Sequence, residues 1–140
     1  MAEALIFTGL QGSGKTTYFR DHFTATHELI SRDILGTAER EAAFIRECLH
    51  SKRSFVVDNT NATRAVRRPF IRQAKAAGFY VVCYFFDTPV RTAIGRNNHR
   101  TDKKPVPVPA ILRTANRMER PSLEEGIDEI RTIAAEAGPP

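Results

Sequence analysis

Gly9-Leu10-Gln11-Gly12-Ser13-Gly14-Lys15-Thr16 fits the pattern G-x-x-x-x-G-K-[ST] at every fixed position. The apolar run Leu5-Ile6-Phe7 stands just before it, and Thr17-Tyr18-Phe19-Arg20 continues it as a helix. Strand, glycine loop and helix in that order are the context the pattern requires. The glycines let backbone N–H groups converge on phosphate oxygens, where a side chain would block the approach. Lys15 supplies a mobile cation for β and γ phosphates, and the Thr16 hydroxyl is placed for Mg2+. The helix that follows adds unpaired N-terminal donors and the positive end of its dipole. A glycine-rich turn that only joins a strand to a helix is the alternative, and five specified positions with the right flanks weigh against it. Gly9, Gly12, Ser13, Gly14, Lys15, Thr16 and Thr17 are therefore the candidate nucleotide-binding residues, with a nucleoside triphosphate as the expected ligand.

Outward from this loop, short apolar runs alternate with longer amphipathic stretches, the pattern of βαβ units and a parallel sheet. Strands are expected at 4–8, 28–31, 54–58 and 80–86, all nearly continuous in apolar residues, as strands covered on both faces are. Helices are expected at 15–23, 37–51, 63–77, 89–99 and 108–119. In the second, Ala38, Ala42, Ile45 and Leu49 recur at helical spacing and should face the sheet. Gly78 is a natural stop for the third, while Pro69 inside it predicts an irregular first turn or a kink. The prolines at 105, 107 and 109 after Lys103-Lys104 predict an extended, solvent-facing loop. From Ser122 the tail is open between a helix, which Ile127, Ile130 and Ile133 fit, and an edge strand. The expected architecture is α/β: a P-loop NTPase fold with a parallel sheet of four to five strands flanked by helices and a helical lid.

Bulk properties bound the rest. With 140 residues, 41% hydrophobic and 26% charged, a single domain spanning 1–140 is expected. No apolar run approaches the roughly 20 residues of a membrane span. No signal or transit peptide is visible at the N-terminus, so a cytoplasmic location is expected. Cys48 and Cys83 lie in apolar patterns and read as buried thiols, which suits a reducing compartment. The net charge is +5, and it is unevenly spread. Between Asp58 and Asp87 there is no acidic residue, while Arg64, Arg67, Arg68, Arg72 and Lys75 share one expected helix. A second group comprises Arg91, Arg96, Arg100, Lys103, Lys104, Arg113, Arg117 and Arg120, with only Asp102 and Glu119 among them. Such clustering is expected where a polyanion is handled, and a solvated basic face is the plainer alternative.

A phosphate loop alone does not separate a kinase from a GTPase or a motor. In open parallel sheets, ligands sit beyond the carboxyl ends of strands, and two aspartates fall there. Asp58 closes the third strand and is followed by Asn59-Thr60-Asn61, where a carboxylate can support Mg2+. Thr63 is better placed than Asp58 to cap the next helix. Asp33 follows Ser31-Arg32 and is placed to accept the proton of an attacking hydroxyl, a capping turn being the alternative. No Asn-Lys-x-Asp stretch exists to read guanine, and the chain is too short for a motor. Arg96 and Arg100 lie four apart on one helix, so they share a face, and a lid is expected at about 91–120. Guanidinium forks suit a transferring phosphoryl group. The candidate catalytic residues are Lys15, Asp33, Arg96 and Arg100, and the candidate metal-site residues are Thr16 and Asp58.

The phosphate loop, Ser31-Arg32-Asp33, Asp58-Asn59-Thr60-Asn61 and Arg96-Asn97-Asn98-His99-Arg100, in this order, resemble the signature blocks of polynucleotide 5′-hydroxyl kinases. The likeness is to the phage enzyme and, more closely, to the kinase half of the eukaryotic polynucleotide kinase/phosphatase. It extends to Pro121-Ser122-Leu123-Glu124-Glu125-Gly126, near the end of the chain. The chain departs from the family at Ser31, where asparagine is usual, and at Gly36, where the phage enzyme has arginine. The resemblance implies Mg2+-dependent transfer of the ATP γ-phosphoryl group to a nucleic acid 5′-end, with Asp33 as general base. It implies that Lys15 and Thr16 hold phosphates and metal, that Asp58 supports the metal, and that Arg96 and Arg100 contact the nucleotide. A separate phosphatase or ligase is then a possible companion. A kinase for a small hydroxylated acceptor and a non-catalytic ATP-binding module are the competing readings.

Overall fold

The computed structural model describes residues 1–101 and 104–134, so Asp102 and Lys103 of the second basic group lie outside the described residues. Five strands, β1 (Glu3–Gly9), β2 (Glu28–Ile30), β3 (Phe55–Asp58), β4 (Tyr80–Asp87) and β5 (Glu129–Ala134), form one sheet in the order β2-β3-β1-β4-β5. Every pairing is parallel, and β1 sits in the centre with Leu5 opposite Val56 on one side and Val82 on the other. The helices are α1 (Lys15–His22), α2 (Arg32–Leu35), α3 (Ala38–Ser51), α4 (Arg64–Ala76), α5 (Val90–Asn98) and α6 (Val108–Arg117). A 3-10 turn covers Leu123–Glu125. This is a P-loop NTPase fold.

Alternation along the central strands divides the core in two. Ala4, Ile6, Phe55, Val57, Val81 and Cys83 face one side, against Ile45 and Cys48 of α3 and Ile71 and Ala74 of α4. Leu5, Phe7, Val56, Val82, Tyr84 and Phe86 face the other, against Phe19 of α1. Phe7 is fully buried, with its ring 5.0 Å from that of Phe86 and 5.5 Å from that of Tyr84. Burying one such side chain contributes about 1.5–3 kcal/mol. Both cysteines are free and fully buried, and burial pushes each thiol up to about 11. They stay protonated at neutral pH and act as small apolar groups.

Several boundaries follow the sequence closely. Thr63 caps α4, its hydroxyl accepting from the Val66 amide at 3.2 Å, and Gly78 follows that helix with φ of 82°. Other expectations change. The first turn of α4 is helical despite Pro69, which sits beyond it, and the helix runs unbroken to Ala76. The face of α3 is rotated: Glu41, Ile45 and Cys48 are its buried residues, and Ala38 is exposed. The tail forms β5, not a helix, and its isoleucines show why both readings fitted. Ile130 packs with the first core and Ile133 with the second, because residues three apart on a strand point to opposite faces.

The first basic group is not a continuous surface. Arg67 is fully buried and forks onto Glu125, Nε to Oε1 at 2.9 Å and Nη2 to Oε2 at 3.0 Å. Its Nη1 donates to the Asn61 carbonyl at 2.8 Å, so all three guanidinium nitrogens are used. Lys75 is exposed but pairs with Asp128 at 2.6 Å, and Arg68 and Arg72 are exposed as well. Burial pushes the Glu125 carboxyl up, but the Arg67 fork and the Ser122 amide outweigh it and hold the group below its ordinary value of 4.5. Because the folded value is the lower one, Glu125 stabilises the fold above about pH 4.5 and loses that contribution as pH falls through the folded value. Arg67→Ala leaves a buried carboxylate without its partner and is expected to cost about 3–5 kcal/mol in urea unfolding at pH 7. The double change Arg67→Met with Glu125→Leu should recover most of that loss.

Candidate active site

The loop between β1 and α1 is shaped by what presses on it. Gly12 and Gly14 take φ of 79° and 90°, conformations that side chains rarely adopt. A Cβ on Gly12 would stand 2.3 Å from the Ala93 carbonyl oxygen, so glycine here lets the backbone of α5 rest on the loop. A Cβ on Gly9 would stand 2.9 Å from Phe86 Cβ. Gly9 does not line the cavity; its smallness serves sheet packing, and its carbonyl accepts from Lys15. Gly14 precedes α1 without a side-chain cap, leaving first-turn amides facing outward as anion donors.

Around this loop lies an open cavity of about 950 Å3 at the carboxyl edge of the sheet. Gly12, Ser13, Gly14, Lys15, Thr16 and Thr17 line it together with Asp33, Asp58, Arg96 and Arg100. Apart from Gly9, every residue singled out from the sequence therefore meets in one place. Lys15 is buried, its Nζ donating to the carbonyls of Gly9 at 3.0 Å and Leu10 at 2.8 Å. The Thr16 hydroxyl donates to Asp58 Oδ2 at 2.8 Å, so the hydroxyl and carboxylate proposed for one metal share a hydrogen bond. Asp58 reaches this point because β3 neighbours β1 in register, Phe7 opposite Asp58. Asp33 is exposed on α2, one residue into a helix of a single turn. The Arg96 guanidinium lies over Gly14, 3.4 Å from where a Cβ would stand. Arg100 does not share a helix with Arg96 as expected, because α5 ends at Asn98; it is half-buried and donates to Asn97 Oδ1 at 3.3 Å.

Four further residues escaped the sequence reading of the site. Asn97 is fully buried and holds Val106 by two bonds, Nδ2 to its carbonyl at 2.6 Å and Oδ1 from its amide at 2.9 Å. The proline loop is thus tied back to α5. Asn61 takes φ of 45° and donates to the carbonyls of Phe7 and Val57. Its Oδ1, like Gln11 Oε1, is buried at the cavity with no partner among the described residues, the kind of position an ordered water or ligand donor fills. Glu41, 3% exposed, bridges Arg32 and Asn59. A buried glutamate of this kind is signalled only by an acidic residue on the apolar stripe of a helix. Among the described residues no group of three or more His, Cys, Asp or Glu side chains is placed to hold a metal ion, and no helix is long and apolar enough to cross a membrane.

Comparison with known proteins bears on the fold. A family model described as an AAA domain matches residues 35–121. The bifunctional polynucleotide phosphatase/kinase of Schizosaccharomyces pombe is 27% identical over 135 residues, 94% of this chain and 33% of that protein. The chain thus spans about a third of that relative's length. Among solved structures, Kti12 of Chaetomium thermophilum in complex with ADP-AlF3 superposes with a TM-score of 0.72 at 20% identity, covering 95% of this chain and 89% of the other. A gluconokinase from Sinorhizobium meliloti gives 0.66 at 16% identity, covering 98% and 84%. These likenesses establish a kinase-like P-loop fold. The contact between loop and α5 makes a direct forecast. Gly12→Ala and Gly36→Ala share a left-handed backbone, worth about 1–3 kcal/mol of strain, but only the first meets a neighbouring atom. Urea unfolding should show the greater loss for Gly12→Ala, and titration with a fluorescent ATP analogue should show weakened binding for that variant alone.

Proposed function

The chain belongs to the AAA domain family, and we propose that it is an ATP-dependent phosphotransferase acting on the 5′-hydroxyl of a polynucleotide. One observation carries the reading: the phosphate loop, the Thr16–Asp58 pair, exposed Asp33 and both arginines line one cavity. The triphosphate lies along the loop, its β and γ phosphates against Lys15 and the first-turn amides of α1. Asp33 follows β2, which at ~4.8 Å per strand stands roughly 10 Å from β1 across the sheet. There its carboxylate accepts the proton of the acceptor hydroxyl. The oxygen bonds to the γ-phosphorus, the bond from that phosphorus to the β,γ-bridging oxygen breaks, and ADP departs with that electron pair. Arg96 and Arg100, in the proposed lid at 91–120, neutralise charge on the group in flight and exclude water.

The Thr16 hydroxyl and Asp58 carboxylate, 2.8 Å apart, fit Mg2+, which typically takes one or two protein oxygens and completes its shell with phosphates and water. When bound, the ion would neutralise negative charge on the phosphates during transfer. The polynucleotide acceptor is favoured by the likeness to the Schizosaccharomyces pombe protein over nearly the whole chain and by the exposure of Asp33 at an open cleft. A small hydroxylated acceptor is the second reading, favoured by the structural likeness to a gluconokinase. A separate phosphatase or ligase is the natural companion of the first.

With γ-labelled ATP, a single-stranded oligonucleotide bearing a 5′-hydroxyl should gain label, and added salt should slow the reaction. Labelling of sugars or nucleosides with none of DNA or RNA would replace the acceptor. Asp33→Asn should retain ATP binding and lose transfer. Lys15→Ala should lower transfer by about 100- to 1000-fold, as expected for removal of one preorganised charge.

A further inference from the structure

The candidate base sits on an element that cannot place itself. The helix α2 has four residues and no buried side chain, with only Leu35 packed against the core from half-burial. One turn of helix is unfavourable in isolation, so something else must fix its position. Three hydrogen bonds close a ring beneath it. The Arg32 amide donates to Asn59 Oδ1 at 3.0 Å, Asn59 Nδ2 donates to Glu41 Oε2 at 2.7 Å, and Arg32 Nε donates to Glu41 Oε1 at 2.5 Å. The first satisfies an amide at the start of α2 that the helix itself leaves without a partner. Glu41 belongs to the first turn of α3, whose cap Thr37 accepts from the Arg40 amide, so the anchor is a helix of fourteen residues. The Glu41 side chain is only 4% exposed, and a buried carboxylate keeps its place because both oxygens are bonded.

The ring has a second property. Arg32 precedes Asp33 in the chain, and Asn59 follows Asp58. Glu41 therefore ties together the two backbone segments that carry the proposed base and the proposed metal support. We infer that Glu41 is a positioning residue, which through Arg32 and Asn59 sets the placement of the Asp33 carboxylate relative to Asp58. The inference rests on the reading of Asp33 as the base. Glu41 touches neither reacting atom, and its effect runs wholly through the geometry of α2. In Glu41→Gln the amide nitrogen has no proton acceptor within the ring and faces a donor instead, so one of the three bonds is lost and the charge opposite Arg32 disappears.

The test uses the full chain, with an oligonucleotide or whichever acceptor the labelling screen identifies. Glu41→Gln should lower kcat about tenfold to hundredfold, the scale of a misplaced catalytic group, with KM for ATP unchanged. In an Asp33→Asn background the same change should cost nothing further, since residues acting as one unit are not additive. Amide hydrogen exchange at residues 32–35 should quicken in Glu41→Gln while α1 and β3 keep their protection. Asn59→Ala, which breaks two of the three bonds, should reproduce both effects if Glu41→Gln folds poorly. Unchanged exchange at 32–35 in both variants, or a loss of kcat that persists undiminished in Asp33→Asn, overturns the positioning role. A full rate for Asp33→Asn alone overturns the base assignment instead, and the exchange data then still judge the ring.

Discussion

The Arg67 guanidinium, fully buried between α4 and the 3-10 turn, ties together the parts on which the cleft is built. A charge taken from water carries a penalty of several kcal/mol, which only a complete set of partners offsets. Glu125 supplies two of them and the Asn61 carbonyl the third. Through Asn61 the restraint passes to the ends of β1 and β3, because its amide holds the carbonyls of Phe7 and Val57. The Thr60 carbonyl accepts from the Gly9 amide at the start of the phosphate loop. The C-terminal segment, remote in sequence, thereby stiffens the floor of the site.

A sheet with β1 at its centre gives this floor its layout. Successive loops leave the same edge, and each delivers one kind of group: amides and a lysine after β1, a carboxylate at the end of β3, another after β2. Helix α5 closes the arrangement from above, since the Ala93 carbonyl lies against Gly12 and the Arg96 side chain over Gly14. In the proposed reading, donor grip and acceptor activation fall to different strands of one sheet.

What the sequence disclosed, and what it concealed, follows from the range of the interactions. The phosphate loop, the strand ends at Asp58 and the caps at Thr63 and Gly78 are local patterns, readable from neighbours a few positions apart. Helix α2 is too short to show a period, so Asp33 read as a loop residue. Arg67 looked like part of a solvent-facing basic helix because its partner stands 58 positions away. Glu41 was hidden for the same reason, since its partners flank it at distances of 9 and 18. The β5 isoleucines were ambiguous because a spacing of three serves one helix face or two strand faces equally well.

The clasp between Asn97 and Val106 has a bearing on how the family can diverge. With the Val106 amide and carbonyl both held by one buried asparagine of α5, the two roots of the excursion from α5 to α6 are pinned together. Lengthening such an excursion is entropically cheap, about 0.6 kcal/mol for each doubling. Between Arg100 and Val106 relatives can accordingly acquire extra segments, and a reporter can be grafted, without disturbing Arg96 on the helix before it.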